Sequence, residues 1–265
     1  MNSPQYVVAP MVDHSDLAYR LLTRKYGAQL VYTQMFNSNS FVTSKEYRDN
    51  NFTTTEGDRP LIVQLAGHDP ETLLQAGRYV EDRCDAIDIN LGCPQGIAKR
   101  GRYGAFLMEE HELLAEMVST MVKGLKVPVT CKTRVYKDFD RSIKLCETLV
   151  NAGASALTIH GRTREEKGQL VRECDWDMIR RIKAHFAGRV PVIANGGIET
   201  FEDVHRCIDV AKVDGVRALM LRDIPYIPYI YALMLRECRN NYYYHLPRYD
   251  FNFLRNVWYR VCMGI

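Results

Sequence analysis

Eight short runs of apolar, largely β-branched residues recur along the chain, each followed by a longer segment with helical spacing. The runs are Tyr6–Ala9, Leu30–Thr33, Leu61–Leu65, Ala86–Ile89, Val127–Thr133, Ala156–His160, Val190–Ala194 and Gly215–Leu219. Several are continuously apolar, which suits parallel strands covered on both faces. Between them lie helical patterns with their own boundary signals. Ser15 is placed to cap a helix carrying Leu17, Leu21 and Leu22 that closes at Gly27. Asp69-Pro70-Glu71 is a cap, a first-turn proline and a first-turn acid. Ile143, Cys146, Leu149 and Val150 form a stripe ended by Gly153, and Thr200 precedes Phe201, Val204, Cys207 and Ile208. Eight strand–helix alternations in about 230 residues match a closed (β/α)8 barrel. A doubly wound open sheet is the alternative, weakened because no G-x-G-x-x-G follows the first strand.

Composition narrows the class without choosing the chemistry. At 265 residues, 46% apolar and 25% charged, the chain can bury a full-sized core. A net charge of +3 does not mark a nucleic-acid binder, yet leaves room for a local basic surface. The eight cysteines include no C-x-x-C pair, which speaks against a zinc site and a disulfide scaffold. With no signal-peptide pattern and no run long enough to span a bilayer, the expected setting is a reducing one, cytoplasm or nucleus, with no membrane and no metal.

In a barrel of this kind the active site gathers where the strands end. The polar residues at those ends are Gln64, Asn90, Lys132, Arg134, His160, Arg162 and Asn195. With them belongs Cys93, in Asn90-Leu91-Gly92-Cys93-Pro94-Gln95, held between a glycine and a proline. Such a thiol either packs as a small hydrophobe or exchanges a proton with a ligand. A lysine at the end of a buried strand is costly unless it meets an anion or an electron-rich ring. Asn195-Gly196-Gly197 offers backbone N–H groups to a phosphate, or is simply a glycine turn. The segment Lys99-Arg100-Gly101-Arg102-Tyr103 is either a solvated loop or an approach for a polyanion with bases to stack.

Taken together these segments resemble the flavin-dependent tRNA-dihydrouridine synthases. The likeness runs through Ala9-Pro10-Met11-Val12-Asp13, Arg59–Leu65, Asp88–Gln95, Lys99–Leu107, Cys131–Arg134, His160–Thr163 and Asn195–Ile198, in the family's order. Within the family it is most similar to the eukaryotic tRNA-dihydrouridine(16/17) synthase group. The resemblance implies FMN across the barrel mouth, with Pro10, Met11 and Gln64 beside its ring. Lys132 and His160 would also contact the flavin, and Asn195, Gly196 and Gly197 would hold its phosphate. NADPH or NADH would reduce the flavin, and a uridine in the D loop of tRNA would be reduced to 5,6-dihydrouridine. Cys93 would be the general acid, in keeping with the protonated state of ordinary thiols at neutral pH. Asn90 would orient the uracil. Lys99, Arg100, Arg102, Tyr103, Arg134 and Arg162 would meet RNA, with Lys99–Tyr103 a mobile loop that delivers the cysteine.

Two departures from the family pattern stand out. After Asp214-Gly215-Val216 the family carries a small Gly- or Ser-rich turn, whereas this chain reads Arg217-Ala218-Leu219-Met220-Leu221-Arg222. Beyond a barrel expected over 1–238, the remaining 239–265 reads as the start of a helical tRNA-binding domain that is cut short. Its aromatics and arginines, from Tyr242 to Arg260, are either an apolar helix face or an RNA-stacking surface. The expected partner is tRNA and the expected state a monomer. Two rivals remain on sequence grounds. One is a catalytically silent barrel that binds RNA. The other is a small-molecule flavin oxidoreductase of the pyrimidine or dihydroorotate type.

Overall fold

The computed structural model describes residues 4–218. Its strands are β1 (Tyr6–Val8), β2 (Val31–Asn37), β3 (Leu61–Ala66), β4 (Ala86–Leu91), β5 (Val129–Arg134), β6 (Leu157–His160), β7 (Val192–Asn195) and β8 (Gly215–Ala218). They form one parallel sheet in the order β1-β8-β7-β6-β5-β4-β3-β2. A bridge between Val7 and Leu30 joins β1 to the chain entering β2, with Val8 N donating to Leu30 O at 3.0 Å. The circle is thereby completed as an α/β (β/α)8 TIM barrel, and the open-sheet alternative falls away.

Alternation within each strand explains why near-continuous apolar runs form this barrel. Leu61, Val63, Leu65, Ile87, Ile89 and Leu91 are each fully buried, facing outward beneath the helices. Burying each such side chain contributes about 1.5–3 kcal/mol. Val7, Leu30, Tyr32, Ile62, Ala86 and Ile193 face inward and pack as one cluster that fills the interior near the strand beginnings. Residues paired across neighbouring strands share a face. Asn90 pairs with Lys132, and the row Arg134–His160–Asn195–Arg217 crosses β5 to β8. The register thus turns the polar strand ends toward one mouth.

The helices that matter for the site include α1 (Leu17–Lys25), α2 (Ser38–Thr43), α3 (Lys45–Asn51), α4 (Pro70–Arg78) and α5 (Gly96–Arg100). They are followed by α6 (His111–Gly124), α7 (Phe139–Asn151), α8 (Trp176–Phe186) and α9 (Phe201–Ala211). Asp69 caps α4 as expected, accepting from Thr72 N at 2.8 Å, and Thr200 with Asp203 forms a capping box on α9. The cap of α1 is Asp16 rather than Ser15. Ser15 instead accepts from Met11 N at 2.9 Å and donates to Ala9 O at 3.2 Å, bracing the loop after β1. Phe201 lies 46% exposed and packs on Tyr6 and His205, outside the buried stripe of α9. β2 runs on past Thr33 through an irregularity between Tyr32 and Met35, and α2 and α3 follow it where no helix was expected.

One buried ion pair fastens α1 to the barrel. Arg20 is 2% exposed and grips Asp58 through Nε and Nη2, at 3.0 and 2.7 Å to Oδ2. Its remaining donors reach Ser15 O and Thr53 O. The expected eighth barrel helix, the sequence from Leu219 onward, the 238/239 boundary and the aromatic tail lie outside the described residues.

Candidate active site

Cys93 follows directly on the end of β4, and its loop is fastened from below by a chain of hydrogen bonds through the barrel. Thr130 Oγ1 donates to Asp88 Oδ1 at 2.7 Å, and Gln64 Nε2 donates to Asp88 Oδ2 at 2.7 Å. Asn90 Nδ2 donates to Gln64 Oε1 at 3.0 Å, while Asn90 Oδ1 accepts from Gly92 N at 3.0 Å and Cys93 N at 2.9 Å. Each of these polar groups is buried, and pairing removes the penalty of roughly 1–3 kcal/mol that an orphan would carry. Sequence reasoning placed Gln64 at the flavin and Asn90 at the uracil. In the structure Gln64 is 1% exposed, with its amide engaged by Asp88 and Asn90. Asn90 shapes the turn that presents Cys93. Asp88 lies within the Asp88–Gln95 segment but was not singled out as a site residue, and Thr130, which completes the chain, carried no motif signal of its own.

The chain closes over the far side of Cys93. Gly104 has φ +68°, and a Cβ there would stand 2.6 Å from Cys93 O, so only glycine lets the backbone come this close. Ala105 N donates to the same carbonyl at 3.0 Å. This turn carries Tyr103 inward, 6% exposed, against Ala66 and Ala98, with Met35, Cys93 and Phe106 alongside. Tyr103 is therefore packed here and is not offered to the surface where RNA stacking was expected. Lys99 and Arg100 project from α5 into solvent, and Arg102 is exposed but paired with Glu110 at 2.6 Å. The segment expected as a mobile loop is a short helix and a packed turn.

Arg134 also departs from expectation. It is 7% exposed, and its guanidinium donates to Gly92 O and Thr163 O, both at 2.8 Å. It staples the Cys93 loop to the loop after β6 instead of reaching toward RNA. Lys167, from the same β6 loop, donates to Pro94 O and adds a second staple.

Beside this loop opens a pocket of about 580 Å³. Its wall includes Pro10 and Met11 after β1, Lys132, His160 and Arg162, then Asn195, Gly196 and Gly197 after β7, and Arg217 of β8. Seven of the eight residues expected to hold a cofactor meet here, Gln64 being the exception. A Cβ on Gly92 would stand 3.1 Å from Lys132 Nζ, which places that amine against the Cys93 loop. Burial, with Arg217 and Arg134 nearby, lowers the Lys132 pKa to about 7. Burial and the same cations keep His160 neutral. Arg162 Nε donates to Arg172 O at 2.6 Å, leaving its other end toward His160 at 3.5 Å.

The glycine turn after β7 is tight for a visible reason. Gly196 (φ +98°) would bring a Cβ within 2.6 Å of the His160 ring, and Gly197 (φ +73°) within 2.8 Å of Cys174 Cβ. Cys174 Sγ donates to Asn195 O at 3.4 Å, and burial raises its pKa to about 11, so it packs as a neutral thiol beneath the turn. Sequence reading passed over Cys174, whose neighbours come from two distant loops.

Comparisons with known proteins identify the family of the chain. The family model described as Dihydrouridine synthase (Dus) matches residues 7–247. The tRNA-dihydrouridine(16/17) synthase [NAD(P)(+)] of Saccharomyces cerevisiae is 48% identical over 216 residues, 80% of this chain and 51% of that protein. The tRNA-dihydrouridine(16/17) synthase [NAD(P)(+)]-like protein of Rattus norvegicus is 48% identical over 218 residues, 82% of this chain and 49% of its own length. The chain thus spans about half the length of these curated relatives. Among solved structures, 2,3-dimethylmalate lyase aligns with a TM-score of 0.55 at 14% identity, over 98% of this chain and 91% of that one. Eimeria tenella DHODH in complex with ferulenol aligns with a TM-score of 0.51 at 15% identity, over 78% of this chain and 64% of its own. At such identities these structures show the barrel fold alone. The family match over residues 7–247, most of its length, makes this chain a member of the dihydrouridine synthase family.

Proposed function

We propose that this chain is the flavin-binding barrel of a tRNA-dihydrouridine synthase, reducing uridine in the D loop of tRNA to 5,6-dihydrouridine with Cys93 as the general acid. The observation that carries the reading is a loop that fixes Cys93 beside Lys132, at a pocket built for an anionic, aromatic occupant. FMN fits that pocket on three counts. The Gly196-Gly197 turn, held at positive φ, brings bare backbone to the pocket wall. Lys132 and Arg162 supply positive charge around it, and the buried Arg217 guanidinium finds no hydrogen-bond partner among the described residues. Asn195, Gly196 and Gly197 would take the phosphate; Pro10, Met11, Lys132 and His160 would take the ring. Bound there and reduced by NADPH or NADH, FMN supplies the hydride for C6 of the uracil.

The chain's own residues supply the rest. Cys93 gives its proton to C5 of the uracil, so hydride and proton together saturate the C5–C6 bond. Asn90, braced by Gln64 and Asp88, fixes the backbone that carries the thiol. Arg134 and Lys167 keep the β4 and β6 loops together, which limits water at the thiol. Neutral His160 donates or accepts a hydrogen bond without adding charge. Exposed Lys99 and Arg100 meet RNA phosphates, a contact weakened by salt.

The test combines flavin content with turnover on unmodified tRNA. Purified protein should carry or take up FMN and form dihydrouridine with a reduced nicotinamide. Cys93→Ala should keep FMN and its reduction while turnover falls by about 10²–10⁴-fold, the usual worth of a general acid. Full turnover by that variant refutes the acid role. A colourless protein that cannot be reconstituted refutes the flavin reading and favours a silent barrel.

A further inference from the structure

Arg217 heads the fully buried side chains by size, with 0% exposure, and it lies among the residues that line the inner end of the mouth pocket. Its Nε, Nη1 and Nη2 have no hydrogen-bond partner among the described residues. The guanidinium stacks on Tyr32 of β2, with Cζ 3.8 Å from the ring centroid. A cation–π contact returns only part of what a desolvated guanidinium loses with its water. The carboxylate whose field reaches it, Asp88 of β4, already has one oxygen taken by Thr130 and the other by Gln64. Lys132 of β5 adds a second cation, the fields of Arg134 and Arg162 reach His160 of β6, and His160 is neutral. Cys93 flanks Lys132, and Glu199 lies exposed at the outer edge. The inner end therefore holds an excess of positive charge, and within it the Arg217 guanidinium itself is cut off from solvent.

We propose that Arg217 is a charge-setting residue of this pocket: together with Lys132 it favours an occupant in its negatively charged form, so that a redox ring bound there is held more tightly after accepting a hydride than before. The inference rests on the flavin reading above. A hydride carries two electrons with one proton, so a neutral ring that accepts it from a reduced nicotinamide gains one negative charge, while the nicotinamide leaves as its oxidised cation. Because the Arg217 nitrogens are shut off from the pocket surface, the effect acts through the field and not by contact. In a water-excluded interior such a field is screened little.

Preferential binding of the reduced form is read directly as midpoint potential. In FMN-reconstituted protein, Arg217→Met should lower the reduced-to-oxidised affinity ratio about tenfold, a shift of about 30 mV toward the negative for a two-electron couple. Arg217→Lys should keep most of the wild-type potential. An unchanged potential in Arg217→Met, or a fall in Arg217→Lys as large as in Arg217→Met, overturns the proposal. A second comparison needs no flavin. In cofactor-free protein at pH 7, an amine-reactive label on Lys132, followed by peptide mass spectrometry, should react several-fold more slowly in Arg217→Met, because Lys132 then keeps its proton. Equal labelling overturns the role of Arg217 whether or not flavin binds. Failure to take up FMN, by contrast, refutes only the flavin reading and leaves this second comparison to decide.

Discussion

Arg20 and Arg217 are both buried in this barrel, and they are buried in opposite ways. Arg20, beneath α1, has a bidentate carboxylate and two backbone carbonyls for its donors. Arg217, under the mouth, has an aromatic ring and no hydrogen bond among the described residues. The difference separates structural from functional burial. A charge whose every donor is satisfied locks two elements together. A charge left unsatisfied beside a pocket keeps its field available to whatever enters.

The contrast can be broken at its stronger end first. Arg20→Met should destabilise the fold by about 3–5 kcal/mol, because it leaves the buried Asp58 only Arg24 at 4.0 Å and the Thr54 hydroxyl at 3.0 Å. A loss below about 1 kcal/mol in urea unfolding would show that these two partners suffice for Asp58. Asp88→Leu should cost about 2–4 kcal/mol, since it leaves Thr130 Oγ1 and Gln64 Nε2 without an acceptor. It should also lower turnover by loosening the Cys93 loop; an active, stable variant would deny the hydrogen-bond chain its positioning role. Arg217→Met should go the other way and stabilise the ligand-free protein by about 1–4 kcal/mol, as replacing buried ions by apolar groups often does. At about 2–4 °C per kcal/mol for a chain of this size, calorimetry would see it. A lower melting temperature would mean that the guanidinium is satisfied after all.

A separate effect is one of pH. Lys132 has a folded-state pKa lowered to about 7 from 10.5, so folding disfavours its protonated form. The resulting penalty is full below about pH 7 and is relieved as pH rises toward the unfolded value. Ligand-free protein should therefore gain stability between roughly pH 7 and 10 on this account, and Lys132→Met should flatten that rise. An identical pH profile in the variant would place the titration elsewhere.

What could be read from the chain was whatever depends on neighbours in sequence. Periodicity gave all eight strands, and Asp69-Pro70 and Thr200 gave two caps, since each signal lies within four residues of its partner. What was misread depends on distant partners. Gln64 and Asn90 end their strands as a ligand-binding pair would, yet they bond to each other across 26 positions. Tyr103, in a basic, glycine-rich loop, looked free to stack until the left-handed turn at Gly104 swung it inward. The run Leu30–Thr33 marks only the start of β2, and beyond the irregularity Met35, Phe36 and Asn37 still pair with β3. Arg217 could not be placed inside or outside without its register against Asn195.

The backbone fold at Gly104 also bears on handedness. A thiol backed by its own chain on one side can offer its proton only toward the other, and a flat uracil ring has two faces that differ once it is held. Turnover in heavy water would then place deuterium at C5 in a single configuration, and a side chain at position 104 that pushed the backing away would be seen as a mixture of epimers.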